Sequence, residues 1–301
     1  MSALANERGA MLSMFEIVTD SSANLTDELI EQYQLPILSL TVRVEGQEYV
    51  SYVKGHKSDI KPIYDKMRQK KPVETSAANP GQCHDIFEEL LKAGKDLLYI
   101  GFSSGLSGTY QTASMQLEDL RGKYPERKIR HVDSLAASMG EGLLVWHACQ
   151  LREQGKSLDE VYQWVLENRL HLCHWFTVDD LFHLKRGGRI SAATAVAGTM
   201  LGIKPVMHVD DEGHLVAVGK VKGRRASLNA LVDHMEQTAI DPARQMIFIS
   251  HGDCLEDAQY VEQEVKRRMG VQQVMINYVD PVIGAHSGPG TVALFFLGTK
   301  R

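Results

Sequence analysis

A cluster of hydroxyl and glycine residues, between a predicted strand and a predicted helix, is the most informative chemical feature of the sequence. Its members are Ser103, Ser104, Gly105, Leu106, Ser107, Gly108 and Thr109. The first N–H groups of a helix have no partner inside the helix, and together with hydroxyl donors they can bind a carboxylate or a phosphate. The cluster therefore predicts an anion site, although a loop that only caps its helix would have the same composition.

The same segment offers a catalytic alternative. Its Gly101-x-Ser103-x-Gly105 spacing is that of a hydrolase nucleophile elbow in a strand–turn–helix setting. Asp253 or Asp280, followed by His286, would complete a triad in the right chain order. However, no Gly-rich oxyanion segment precedes it, and a second serine, Ser104, adds a donor to an anion site but nothing to a nucleophile. A serine hydrolase is therefore the alternative, and we predict no catalytic residue.

A second short polar loop begins at Thr75. Asn79 and Pro80 are typical of an N-cap and a first helical position, so residues 80–93 are predicted to be helical. In a parallel sheet, the loops at the carboxyl ends of the strands line the ligand crevice. We therefore expect Thr75 and Ser76 to face the serine cluster, unless this loop serves only to cap its helix.

A glycine-rich stretch near the C-terminus, residues 284–290, contains one histidine, His286. The glycines predict a turn. An imidazole can donate a hydrogen bond to a carboxylate and can change its charge near neutral pH. Because most isolated histidines are structural, His286 becomes a candidate only in combination with the two hydroxyl-rich loops.

Two basic islands, residues 184–191 and 220–225, interrupt a chain whose formal net charge is −5. Such islands can meet a phosphate-bearing or acidic partner. The candidate docking residues are Arg186, Arg189, Lys222, Arg224 and Arg225. The alternative is an ordinary solvated surface.

Strands and helices alternate in the N-terminal half. We predict strands over Phe15–Asp20, Asp96–Gly101 and residues 128–133, with helices over residues 80–93, 109–120 and 138–154 between or after them. This order predicts an α/β fold with a mostly parallel sheet and flanking helices.

The C-terminal half predicts a mixed α/β domain. Asp211-Glu212-Gly213 lies between two β-branched runs, which indicates a hairpin. Further strands at residues 245–250, 274–279 and 291–297 alternate with helices at 227–238 and 255–269, and the Ala-rich stretch 191–202 is predicted to pack as a helix. We place the domains at 14–170 and 171–301, after an extension, residues 1–13, without fixed structure.

Composition limits the class of protein. Of the 301 residues, 44% are hydrophobic and 24% charged, which is typical of a soluble globular chain, and the negative net charge disfavours nucleic acid. The four cysteines form no Cys-x-x-Cys pair, so we predict no metal and no disulfide framework. Without a signal peptide or an apolar run of about 18 residues, a cytoplasmic location and no transmembrane segment are expected.

Several short motifs, taken in order, resemble those of the DegV family. They are residues 18–25 (VTDSSANL), Thr75-Ser76, 103–109 (SSGLSGT), 184–190 (LKRGGRI), 203–205 (IKP) and 283–290 (IGAHSGPG). Each motif is weak alone, but the ordered set runs from about residue 15 to the end and is highly specific.

The resemblance implies a two-domain α/β fold that holds one long-chain fatty acid, such as palmitate, stearate or oleate, and no cofactor. It implies carboxylate binding by Thr75 and Ser76, by Ser103 or Ser104, and by His286. The family includes the FakB subunits of bacterial fatty acid kinase. A separate ATP-dependent kinase that converts the bound carboxylate to an acyl phosphate for phospholipid metabolism is therefore expected, with transient membrane contact for lipid exchange.

Overall fold

The computed structural model describes residues 15–56, 59–191 and 202–301. In chain order the strands are β1 (Phe15–Asp20), β2 (Ile37–Leu38), β3 (Thr41–Val44), β4 (Gln47–Val50), β5 (Val73–Ser76), β6 (Asp96–Gly101), β7 (Ile129–Asp133), β8 (Leu172–Thr177), β9 (Ile203–Val209), β10 (Leu215–Lys222), β11 (Met246–His251), β12 (Gln273–Tyr278) and β13 (Val292–Leu297). The helices are α1 (Asp27–Tyr33), α2 (Lys61–Arg68), α3 (Pro80–Lys92), α4 (Thr109–Lys123), α5 (Met139–Glu153), α6 (Leu158–Asn168), α7 (Phe182–Arg186), α8 (Arg224–Thr238), α9 (Leu255–Met269) and α10 (Pro281–Ser287).

The N-terminal half contains a parallel sheet with the strand order β2-β1-β6-β7. Its central strand β6 is an apolar run in which Leu97, Leu98, Tyr99 and Ile100 are fully buried, as expected for a strand covered on both faces. Helices α3 and α4 pack on one face and α5 on the other. The loop that leaves the carboxyl end of β6 carries the serine cluster.

The C-terminal half contains a six-stranded mixed sheet with the order β10-β9-β8-β13-β11-β12. Successive side chains of a strand point to opposite faces. Along β13, Ala293 and Phe295 therefore face α5, whereas Val292, Leu294 and Phe296 face α8 and α9. The predicted α/β fold, with a parallel sheet and a mixed sheet, is confirmed.

A third sheet is small and antiparallel, with the order β4-β3-β5. It corrects one expectation: Thr75 does not follow a strand of the parallel sheet, because β5 pairs antiparallel with β3 and Thr75 lies opposite Val42. Helix α10 packs on β5, β3 and α2. Thr75 therefore approaches the other predicted site residues from a separate sheet.

Helix α5 lies between the parallel sheet and the mixed sheet. Its buried residues Leu143 and Leu144 belong to the same apolar cluster as Leu98 of β6 and Phe248 and Phe295 of the mixed sheet. One hydrophobic core thus contains residues of both halves of the chain. The division near residue 171 stays a prediction.

Most predicted elements are present. The Asn79 side chain accepts from the Gly81 N–H at 2.9 Å, which confirms the N-cap of α3. The turn predicted over residues 284–290 is present at residues 289–290, but it is wrong for residues 284–287. These belong to α10 (Pro281–Ser287), which has Pro281 at its first position; the glycines obscured a Pro-initiated helix. The predicted extension, residues 1–13, and residues 192–201 of the Ala-rich stretch lie outside the described residues. In the described ranges, no helix has the length and apolar character needed to cross a bilayer.

Candidate functional site

A cavity of about 170 Å³ lies between the mixed sheet, the serine cluster and α10. Its walls are mostly apolar, formed by side chains that include Phe102, Phe176, Val282, Ala293 and Phe295. Its polar lining includes two groups, of which the first comprises Thr75, Ser76, Ser107, Gly108, Arg189 and His286. An apolar cavity with a few convergent polar groups is the usual form of a small-ligand site.

The centre of the first polar group is a hydrogen bond between Thr75 and His286. Thr75 Oγ1 and His286 Nε2 are 2.9 Å apart. The end of β5 supplies the threonine and the last turn of α10 supplies the histidine. The α10 helix is fixed at its start by Asp280, which accepts from the Val282 N–H at 2.7 Å. Two of the predicted site residues, 211 positions apart in sequence, therefore meet at the cavity.

His286 is neutral around pH 7 in this structure. Burial, followed by the positive charges of Arg189 and Arg186, lowers the pKa of His286 to about 4. A neutral imidazole has one N–H donor and one acceptor nitrogen. With the hydrogen on Nε2, His286 donates to Thr75 Oγ1 and leaves the threonine hydrogen available for an anion in the cavity. A bound anion next to the ring would raise the pKa of His286 again.

The segment around Gly187 packs against this histidine. A Cβ atom placed on Gly187 would lie 2.1 Å from His286 Nδ1, so only glycine allows the ring its position. Two residues later, Arg189 donates from Nε to the Leu106 carbonyl at 3.2 Å and from Nη1 to the Gly187 carbonyl. Arg189, predicted as a docking residue, thus lines the cavity and places a positive charge beside His286.

The serine cluster reaches the cavity through its second half. Ser107 and Gly108 line the cavity, and the Ala78 N–H donates to Thr109 Oγ1 at 3.3 Å. This bond shows that the loop after Thr75 and the serine cluster do face each other, as predicted.

Ser103 and Ser104, the predicted carboxylate donors, do not line this cavity. Ser103 is fully buried, and its hydroxyl donates to the Gly213 carbonyl of the β9–β10 hairpin at 2.9 Å. Ser104 is exposed, and its N–H donates to Asp133 Oδ1 at 3.2 Å. The structure therefore does not bring these two serines to the Thr75–His286 pair, and Ser103 instead connects the two halves of the chain.

The triad of the hydrolase alternative is not assembled. Ser103 Oγ donates its hydrogen bond to the Gly213 carbonyl and not to a base. His286 is hydrogen-bonded to Thr75. Asp253 is paired with Arg68 and Lys61. No base among the described residues is placed to accept the Ser103 proton, which nucleophilic catalysis requires.

The remaining predicted docking residues differ in their surroundings. Arg186 and Lys222 are exposed. Arg224 forms an ion pair with Asp257 at 2.7 Å and lies 3.7 Å from Asp179, and the Arg225 guanidinium lies 3.5 Å from the centroid of the Tyr260 ring. Arg224 and Arg225 therefore also have structural partners.

Asn24 is a site residue that sequence reasoning missed as an individual. Its Oδ1 atom accepts from Ser138 Oγ at 2.7 Å and from the Asp280 N–H at 3.1 Å, and its carbonyl accepts from Asn277 Nδ2 at 2.8 Å. It thus joins the start of α5 to the start of α10, which carries His286. The VTDSSANL motif was the available signal for this residue. Asn24 has a left-handed φ of 50°, which asparagine tolerates better than most residues.

A larger groove, of about 700 Å³, opens on the outside of the same region. Its lining includes Asp20, Asp27, Asp59 and Asp280, and this acidic character disfavours an anionic ligand. Asp20 accepts hydrogen bonds from the Phe102 N–H and the Tyr99 hydroxyl, both at 3.0 Å. The groove also contains donors such as Ser51, Tyr52 and Lys61, but acidic side chains outnumber basic ones in its lining.

A buried carboxyl pair lies beneath this groove. Ser22 Oγ bonds to both Asp20 and Glu141, and Thr19 Oγ1 donates to Glu141 at 2.9 Å. Burial, and then the nearby charge of Asp20, raises the pKa of Glu141 well above its usual range. Because Asp20 accepts more N–H and O–H donors, we assign the proton of the pair to Glu141.

One group of three potential metal ligands lies within mutual reach in the described residues, formed by Asp210, Glu212 and His214 of the β9–β10 hairpin. Asp210 Oδ1 already accepts from the N–H groups of Glu212 and His214. The turn geometry accounts for this arrangement.

Comparison with known proteins identifies the family of this chain. The model of the DegV family of uncharacterised proteins matches residues 14–299. A DegV domain-containing protein from Clostridium perfringens is 42% identical over 290 residues, covering 96% of this chain and 99% of that protein.

Two solved structures share the fold over nearly the whole chain. One, described as showing fatty acid binding by a DegV family protein of Thermus thermophilus, has a TM-score of 0.83 and 29% identity, covering 94% of this chain and 99% of that one. The other, DegV of Bacillus subtilis, described as a fatty acid binding protein, has a TM-score of 0.79 and 25% identity, covering 95% and 99%. The chain is therefore a member of the DegV family.

Proposed function

We propose that this chain binds one long-chain fatty acid, with the carboxylate at Thr75 and His286 and the acyl chain in the apolar cavity. The observation that carries the proposal is the Thr75–His286 pair at the polar end of a cavity with apolar walls. The fatty acid binding described for the Thermus thermophilus and Bacillus subtilis relatives supports it.

A short relay of hydrogen bonds would hold the carboxylate. His286 Nε2–H donates to Thr75 Oγ1, and the Thr75 hydroxyl donates in turn to a carboxylate oxygen. The Ser76 hydroxyl, the Ser107 hydroxyl and the N–H of Gly108 line the same end and are further donors. Arg189 supplies a partly desolvated positive charge, which strengthens hydrogen bonds to a carboxylate.

The acyl chain supplies most of the affinity. Each buried methylene contributes about 0.8 kcal/mol, so a chain of about 16 carbons contributes on the order of 10 kcal/mol before ordering costs. Ligand cavities usually measure about 300–1,000 Å³, whereas this one measures about 170 Å³. We therefore expect the acyl chain to widen the cavity as it enters.

Solvent extraction of the purified protein, followed by mass spectrometry, tests the proposal directly. We expect close to one equivalent of long-chain fatty acid per chain. Delipidated protein should bind added palmitate, stearate or oleate, as measured by displacement of a fluorescent fatty acid. A lipid-free protein that fails to bind all three would contradict the proposal.

The bound carboxylate would then be a substrate for a separate ATP-dependent kinase, which forms the acyl phosphate. The support is the resemblance to the subunits of fatty acid kinase, together with exposed basic side chains near the cavity. Arg186 is exposed in α7, one residue before the Gly187 that packs against His286. A basic rim of this kind would steer an acidic or phosphate-bearing partner.

Charge reversal separates docking from lipid binding. In the Lys222→Glu protein, fatty acid occupancy should stay near wild type, whereas acyl phosphate formation with the cognate kinase should slow, most strongly at low salt. Arg186→Glu is not used for this test, because the charge of Arg186 also acts on His286. Arg244→Glu, a charge reversal at another exposed residue, is the matched control. An unchanged rate of acyl phosphate formation would mean that the kinase docks on another surface. Arg224→Glu is less suitable, because it would also break the ion pair with Asp257.

A further inference from the structure

The second polar group of the cavity lies on the mixed sheet, away from the carboxylate end. It consists of His174 on β8, Ser250 on β11 and Ser138 at the start of α5. All three are buried, with His174 only 2% exposed. A cavity for a plain acyl chain has no use for such groups, because methylenes neither donate nor accept hydrogen bonds.

The two serines are satisfied by each other and by Asn24. Ser138 has a single hydroxyl hydrogen, which it donates to Asn24 Oδ1 at 2.7 Å. The hydrogen between Ser138 Oγ and Ser250 Oγ, 3.0 Å apart, therefore belongs to Ser250. This directed chain leaves acceptor capacity on the Ser250 oxygen at the cavity wall.

His174 has no such partner. Neither ring nitrogen has a hydrogen bond of ordinary geometry among the described residues, although the Leu172 carbonyl is close enough to act against the lowering of the His174 pKa. Burial lowers the pKa of His174 well below its usual range, so the ring is neutral, with one donor and one acceptor. Unpaired buried groups are costly, and each in a native structure calls for a water molecule or a ligand.

The strand register places His174 far along the cavity. Thr291 bonds to the Ser287 carbonyl, next to His286 in the chain. From there the chain enters β13, and Thr291, which precedes the strand, lines the cavity together with Ala293 and Phe295 of the strand. Phe295 lies opposite His174 and is four residues beyond Thr291, roughly 14 Å at 3.4 Å per residue. An acyl chain held at Thr75 and His286 would therefore pass His174 with its middle or distal carbons.

We infer that this chain selects long-chain fatty acids that carry a hydroxyl group on the middle or distal part of the acyl chain. A hydroxyl can either accept a hydrogen bond from the N–H of the neutral His174 ring or donate one to its unprotonated nitrogen. A keto oxygen can only accept. The inference rests on the proposed fatty acid function and specifies its ligand class.

Competition binding with defined lipids tests this inference. Stearate, a series of stearates each with one hydroxyl at a different carbon, and the matching oxostearates compete with a fluorescent fatty acid on delipidated protein. We expect at least one mid-chain or distal hydroxystearate to bind about tenfold tighter than stearate, and its oxo analogue to fall between them.

The variants assign the effect to His174. His174→Leu and His174→Met should bind stearate at least as well as wild type and should lose the preference for the hydroxylated lipid. His208→Leu is the control, because His208 stacks on Trp175 at the other face of the same sheet and does not line the cavity. Thermal unfolding of each variant checks that it is folded. Two replacements of His174 are used so that the result does not depend on how one particular side chain packs in the cavity.

The outcomes separate the two proposals. If stearate and all its derivatives fail to bind the wild type, the proposed fatty acid function is wrong. If stearate binds and no hydroxystearate is preferred, a buried water satisfies His174 and the present inference is overturned. A preference that persists in both His174 variants overturns the assignment to this residue.

Discussion

The loop after Thr75 and the serine cluster look alike in sequence but use their hydroxyl groups differently. Each lies at the end of a strand, precedes a helix and contains hydroxyl residues. Thr75 bonds to the side chain of His286 at the cavity wall. Ser103 donates to the backbone carbonyl of Gly213 inside the protein. The first hydroxyl can still donate to a ligand, whereas the hydrogen of the second is already used.

The difference teaches that the partner of a hydroxyl decides its role more than its motif does. A Thr–His pair can redistribute its hydrogens when an anion arrives, because the imidazole can act as donor. A carbonyl can only accept, so Ser103 cannot turn to a ligand without leaving Gly213 unpaired in the interior. Such a loss costs about 1–3 kcal/mol for a buried group.

The largest effect is expected from removing the Ser103 hydroxyl. Ser103→Ala leaves the Gly213 carbonyl without its donor and the Gly105 N–H without an acceptor. We expect the free energy of unfolding of delipidated protein to fall by about 2–4 kcal/mol for these two groups, with palmitate affinity changed less than about twofold. Denaturant unfolding and competition binding measure the two quantities. A large loss of affinity with unchanged stability would place Ser103 at the carboxylate after all.

The reverse pattern is expected for Thr75. Thr75→Val keeps the shape but removes the donor to the carboxylate, so palmitate affinity should fall by about 1–3 kcal/mol, equivalent to roughly 5–150-fold. Stability should change little, because the site is half-buried. Thr41→Val, the same change on the neighbouring strand β3, is the control and should bind normally. Equal affinities for both variants would refute the carboxylate site.

A smaller effect is expected from pH. In the ligand-free protein the pKa of His286 is about 4, and a carboxylate should raise it towards or above the ordinary value of about 6.5. The complex then binds more protons than the free protein, so affinity should rise as pH falls from 8 to 6, by about two- to tenfold. Calorimetry in buffers of different ionisation enthalpy measures the proton uptake. His286→Gln should bind without it, and persistent uptake in that variant would point to another group.

The free energy of unfolding of the ligand-free protein should instead fall as pH falls. Because the folded-state pKa of His286 lies below its unfolded value, its contribution is complete above about pH 6.5 and is lost as pH falls towards 4. Denaturant unfolding of delipidated wild type and His286→Gln across this range isolates that contribution. The two curves should converge as pH falls.

The smallest effect is expected from Ser104. Its side chain is exposed and outside the cavity. Ser104→Ala should change both stability and palmitate affinity by less than about 0.5 kcal/mol. The same two assays used for Ser103→Ala apply, and a clear loss of binding would mean that the loop rearranges around the ligand.

The sequence predicts this fold well where local signals are strong. The apolar runs of β1 and β6 and the cap of α3 have distinct patterns, and the structure confirms them. The order of the strands in space and the addition of β5 to the small third sheet depend on contacts between distant residues. The helix α10 was missed because three glycines near His286 outweighed Pro281 as a local signal.

The site was predictable in its residue types but not in its connections. Thr75 and His286 were identified, and the structure brings them together. That the Ser103 hydroxyl is bonded to Gly213, 110 positions away, could not be read from the loop itself. The sequence does not single out His174, since the absence of a hydrogen-bond partner is a property of the folded interior.

The alternation along β13 also bears on how the length of the bound lipid could be changed. Thr291, Ala293 and Phe295 line the cavity one after another, and each step of two residues advances about 7 Å along the strand. A bulky side chain at Ala293 would end the space for the acyl chain before it reaches Phe295, while Thr75 and His286 stay in place. Ligand length can therefore be altered at one strand position independently of carboxylate recognition, so related chains could diverge in preferred lipid through single substitutions.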